Sequence, residues 1–211
     1  MNFQNLLNQV LGGVQQSGGD KSLIDKLGGG AAVAGLAAML LSKKTRSRLL
    51  TTGSATALGA LAYHAYQNWQ QSRNAAGGQT AQSAPLLAQN AFEPQGEQAQ
   101  NADRLILKTM IAAAAADGQI DEAELQLISR EGGDDEESRQ WLLAESQNPA
   151  TPAELAQLAG GDTAATAEAY LAARMVCGEL SRKEIVFLSQ LADAFGLEAQ
   201  FVEQLEQQAG F

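Results

Sequence analysis

The chain has 211 residues, 45% of them apolar but only 5% aromatic, so a core must come from many small helices packed closely rather than from a few large rings. The net charge of −10 is uneven: residues 1–102 hold seven Lys and Arg against four Asp and Glu, and residues 103–211 hold seven against twenty. The acidic half excludes a nucleic-acid partner, whose phosphates it would repel. One cysteine (Cys177) excludes an intrachain disulfide, and one histidine (His64) leaves a His-based zinc site or a Ser-His-Asp triad almost nothing to draw on.

Phe3, Leu6, Leu7, Val10, Leu11 and Val14 recur at helical spacing and predict an amphipathic helix at the N-terminus. The start does not have the positive charge of a cleavable signal. Leu27–Leu41, LGGGAAVAGLAAMLL, carries no charge, and the following SKKTRSR (Ser42–Arg48) carries four positive ones. Leu49–Trp69 is again without formal charge unless His64 protonates. Fifteen helical residues span only roughly 22 Å, against a hydrocarbon core of about 30 Å. The second run is longer but diluted by Thr, Ser and Gly.

Small residues four apart (Ala31 and Gly35, Gly53 and Ala57, Ala55 and Gly59) favour close helix approach, and with it homo-oligomers. Tyr63, Tyr66 and Trp69 gather at one end, as in an interfacial aromatic belt, and the basic loop suits the cytoplasmic side. Residues 1–71 are therefore expected to form an Ala/Gly-rich apolar helical hairpin associated with the membrane. Residues 72–101, rich in Gln, Ala, Gly, Ser and Pro, read as a flexible linker with a mean reach of roughly 30 Å.

Residues 102–211 predict an acidic seven-helix bundle, with helices over 103–116, 121–130, 134–147, 151–159, 163–177, 181–195 and 198–208. Thr151-Pro152-Ala153-Glu154 places an N-cap, a first-turn Pro and a reciprocal Glu in order, and Ser181 with Glu184 repeats the cap. Asp121 with Glu124 is the Asp version. The domain repeats at an offset of sixty: Gly118 matches Gly178, Ile120 matches Leu180, Glu124 matches Glu184 and Ile128 matches Leu188. Each copy reads as helix, glycine corner, plugging aliphatic, N-cap and second helix.

The first corner also resembles half of a calcium loop, D-x-[DN]-x-[DN]-G-x5-E. Asp117, Gly118 and Glu124 fit its last fixed positions, but the first two fall on Ala113 and Ala115. A hard cation wants six to eight oxygens, so the corner alone would be under-filled. In the second copy Cys177 stands where the first has Asp117, while the cap pattern survives in both, so helix-corner architecture explains more of the residues than metal does. The acidic run Glu131–Ser138 reads as a helix N-terminus, where the macrodipole favours acids, Asp103 as a first-turn acid or cap, and Cys177 as a small buried residue.

The segments AAAADGQIDEAELQLI and RMVCGELSRKEIVFL, with LADAFGL after them and the Gly/Ala-rich front, resemble the YebE-type inner-membrane proteins of proteobacteria, whose C-terminal domain resembles the TerB tellurite-resistance fold. The resemblance implies an all-α protein of the bacterial inner membrane with no catalytic activity. It also implies a divalent metal ion held by acids near the corners: Asp117, Asp121, Glu124 and, in the second copy, Glu184. Ser181 and Cys177 depart from a symmetric acidic pattern. The functional expectation is a non-enzymatic, membrane-anchored module that scaffolds or senses, with a protein partner the sequence does not specify. The side of the membrane stays open.

Overall fold

A computed structural model of the chain describes residues 2–16, 55–75, 87–116, 118, 135–177 and 180–211. Among the described residues all regular structure is helical. The elements are α1 (Phe3–Gln16), α2 (Ala55–Ala75), a 3-10 turn (Gln89–Phe92), α3 (Glu97–Ala114), α4 (Glu136–Gln147), α5 (Pro152–Ala159), α6 (Thr163–Cys177), α7 (Arg182–Phe195) and α8 (Ala199–Gln208). The run Leu27–Leu41, the basic loop 42–48 and the expected helix over 121–130 lie outside the described residues.

α6 is the axis. Every residue from Ala164 to Cys177 is buried, in keeping with a helix whose faces are all covered. Alanines at 164, 165, 167, 169, 172 and 173 keep it thin, and α3 packs along it with Leu105, Ile106, Met110 and Ile111. The small-residue composition is thus spent on close helix approach, since a thin helix brings more neighbouring atoms within dispersion range. α7 and α5 lean on each other beside this pair through Leu188, Leu191 and Leu155.

Caps fix where these helices begin and end. In α5 the Thr151 hydroxyl accepts from Glu154 N–H while Glu154 accepts from Thr151 N–H, and Pro152 follows the cap. Ser181 and Glu184 do the same for α7, which stops at Gly196 with φ 66°. Asp135 caps α4 by accepting from Ser138 N–H at 2.8 Å.

The front of the chain differs from expectation. α2, expected within an apolar anchor, packs against α8 and α6. Leu58, Ala62, Ala65, Tyr66 and Trp69 join the same core as α3 and α6. The rings expected at a membrane interface form an internal seam. Tyr66 lies 5.8 Å from Phe92 and 5.7 Å from Phe201, and Trp69 lies 5.1 Å from Phe201. Arg73 closes the seam, over Trp69 at 4.8 Å and paired with Glu198 at 2.9 Å. The reason is that α8 supplies Phe201 and Leu205, so the aromatics lose water contact inside the protein. Among the described residues no helix is long and apolar enough to cross a membrane.

α1 also joins the bundle, packing on α3. Phe3 meets Trp141 edge-on at 5.1 Å, and its N–H donates to Gln100 Oε1 at 2.9 Å. Within the segment expected as linker, Phe92 is fully buried, and α3 begins at Glu97 rather than near 103. Gly59 explains how the 3-10 turn seats on α2: a Cβ there would stand 2.2 Å from the Phe92 carbonyl oxygen. A mid-helix glycine costs roughly 0.5–1 kcal/mol against alanine, and here it permits backbone-to-backbone approach.

Candidate functional site

Of the acids the sequence puts at the corners, Asp117, Asp121 and Glu124 lie outside the described residues. Glu184 is described, and its carboxylate accepts from Ser181 N–H at 2.7 Å. It serves the capping box through that one oxygen. Among the described residues no three His, Cys, Asp or Glu side chains cluster in a way that could hold a metal.

The structure instead brings together two carboxyls that the sequence reading passed over. Asp103 is in the second turn of α3, because the helix starts six residues earlier than expected; it is only 5% exposed and does not cap. Glu168 is in the second turn of α6 and only 4% exposed. Both line one cavity of about 200 Å³, walled by Ala55 and Thr56 of α2, Phe92 and Glu93 of the turn, and Ala99 and Ala102 of α3. Small side chains on α2 and α3 leave this space where larger ones would fill it.

Their electrostatics are unusual for a pair so close to neutral pH. Burial raises the Asp103 carboxyl to about 6. Burial also raises Glu168, to about 9, with the negative charges of Asp103 and Asp162 adding to the effect. Asp162 is held at the start of α6, accepting from the N–H groups of Ala164 at 2.9 Å and Ala165 at 3.1 Å. Asp103 Oδ2 is buried with no hydrogen-bond partner. Of the described cations, Lys108 pairs with Glu145, Arg104 lies over Phe3, and Arg174 sits against Glu206 at 3.4 Å. Chemically, the cavity can hold a proton on Glu168 or accept a positive charge between the two acids.

One signal in the sequence does mark Glu168: it is the lone acid in TAATAEAYLAARMVC, otherwise Ala-rich and apolar on every face. Asp103 gives no such signal, because its depth depends on where α3 starts.

Among the described residues the chain is an all-helical bundle around a buried axis, and the family it matches is a TerB-like one. The chain belongs to the family described as "Protein of unknown function (DUF533)", whose model matches residues 26–209. No curated protein and no solved structure matches the chain.

Proposed function

We propose that the protein is a non-enzymatic helical module of the YebE type that works at the bacterial inner membrane, scaffolding or sensing in envelope or metal stress. In this reading the membrane-associating part is the segment 17–54, and the bundle is clamped directly onto it rather than held on a long tether.

One observation carries the reading. Ala55 N–H, at the start of α2, donates to Asn8 Oδ1 of α1 at 3.4 Å, and α1 and α2 are both packed into the bundle. The segment between them therefore has both of its flanking helices in one domain. By sequence it contains the uncharged run Leu27–Leu41 and the basic Ser42–Arg48, the composition that favours an anionic membrane face. Ala31 and Gly35 keep self-association of that segment in the proposal.

The test is fractionation of the full chain beside a variant with residues 21–50 replaced by a short Gly-Ser link. The full chain is expected in the membrane fraction. The variant is expected in the soluble fraction with its helical circular dichroism and melting temperature nearly unchanged, since α1 and α2 hold their places in the bundle through their own contacts. Recovery of the intact chain from the soluble fraction without detergent overturns the proposal.

A further inference from the structure

We propose that the cavity enclosed by the Gln89–Phe92 turn, α2, α3 and α6 binds one hydrated divalent cation of the Mg²⁺ class, held by the carboxylates of Asp103 and Glu168. The site is independent of the membrane reading and distinct from the glycine corners.

The first ground is an unsatisfied acceptor. Asp103 is 5% exposed, lines the cavity, and keeps Oδ2 buried without a hydrogen-bond partner. A buried acceptor left unpaired is costly, more so when it carries charge, and folded proteins seldom leave one so unless something external supplies the partner. The second ground is that Glu168, 4% exposed, borders the same cavity from the helix opposite. Among the described residues the charges that act on it most are negative, those of Asp103 and Asp162. A cation entering this space would take the place of the Glu168 proton, offsetting the charge that burial and the neighbouring acids disfavour.

The donor chemistry selects the ligand. The described lining residues offer only oxygen for ligation, with no histidine and no thiolate, which suits a hard cation better than a soft-ligand ion. A third oxygen is at hand: the Phe92 carbonyl and Glu168 Oε1 both lie within 4 Å of one point beside Gly59. Calcium favours six to eight oxygens drawn largely from the protein, whereas Mg²⁺ characteristically keeps several waters and binds through one or two carboxylates, as the two buried acids here would allow. The cavity volume of about 200 Å³ suits that. That space is ample for several waters, as an ion with its shell needs. Gln4, Glu93 and Gln95 at the mouth can accept hydrogen bonds from bound waters.

The experiment titrates Mn²⁺ into the chelator-stripped full chain in detergent, follows bound Mn²⁺ by electron paramagnetic resonance, and then competes with Mg²⁺. One saturable site displaced by Mg²⁺ is expected. Asp103→Asn and Glu168→Gln should each weaken it by about tenfold, the loss typical even of outer-shell partners, or more. Glu184→Gln should leave it unchanged. Both carboxyl variants keep shape and volume and remove a buried charge, and circular dichroism confirms that they fold. A second readout needs no variant: Mn²⁺ should broaden the amide signals of Phe92, Ala99 and Ala102 before those of Ser181 and Glu184. Absence of saturable binding at millimolar Mn²⁺ overturns the proposal. So do undiminished binding in the Asp103→Asn, Glu168→Gln double variant and broadening centred on the α6–α7 corner.

Discussion

α2 and α6 are both Ala-rich helices of low charge, and their sequences invite opposite expectations from the ones the fold fulfils. α2 has no acid and a cluster of rings, which looks like membrane; α6 carries Glu168 and Arg174, which looks like a surface helix. Yet α2 shows water a face of His64, Gln67 and Gln71, while α6 is covered from Ala164 to Cys177 with both charges inside. Burial follows what surrounds a helix, and not its own hydropathy. α6 tolerates its charges because Arg174 sits against Glu206 and over Phe211 at 3.9 Å, while Glu168 faces the cavity.

Substitutions can break this contrast. The largest effect is expected at Trp69, whose ring fills the seam beside Phe201. Trp69→Ala should lower the unfolding free energy of the bundle by about 3–5 kcal/mol in a denaturant titration. Trp69→Phe should cost much less, since Nε1 is buried without a partner and its loss removes a desolvated donor. If Trp69→Ala left the bundle's stability intact, the seam would not be part of the core.

Gly59→Ala comes next. Alanine raises helix propensity, but its Cβ would press on the Phe92 carbonyl, so a net loss of about 1–3 kcal/mol is expected. A gain in melting temperature would show that the turn does not seat on α2.

The third prediction concerns pH. Glu168 has a folded value of about 9 against an ordinary 4.5, and Asp103 about 6 against 3.8. Both values are raised, so the folded chain holds protons that the unfolded chain releases. Stability is full below the ordinary values and falls as pH climbs toward the folded ones, at most about 1.4 kcal/mol per pH unit per group. With chelator present, melting temperature should fall between about pH 6 and about pH 9, the window in which Glu168 alone remains protonated. Glu168→Gln should flatten that fall. An unchanged slope in the variant would mean that Glu168 is not the titrating group.

The smallest effect is at the caps. Ser181→Ala and Thr151→Ala should each cost about 1 kcal/mol, read from thermal melts, because each orphans an N–H at a helix start. Ser181→Ala also frees Glu184, and no gain of metal affinity should accompany it.

Much of the architecture is legible along the chain, because helix signals are local. Pro152 after Thr151, Glu three residues past Ser181, and Gly196 after Phe195 fix boundaries through bonds between near neighbours. The apolar spacing of α1, from Phe3 to Leu11, fixes which face is buried without saying against what. The candidate site was scarcely legible. Asp103 and Glu168 stand sixty-five positions apart, and a periodicity of three or four residues has no term linking them.

The sequence by itself determined the helical class, the capped boundaries of α5 and α7, and the need for thin, closely packed helices, since propensity, capping and side-chain volume act within a turn or two. Only the tertiary structure decided that the rings of α2 meet Phe201 instead of lipid, and that two acids share one cavity. Those outcomes depend on which helix faces which, and apolar burial, being non-directional, rewards any partner that excludes water.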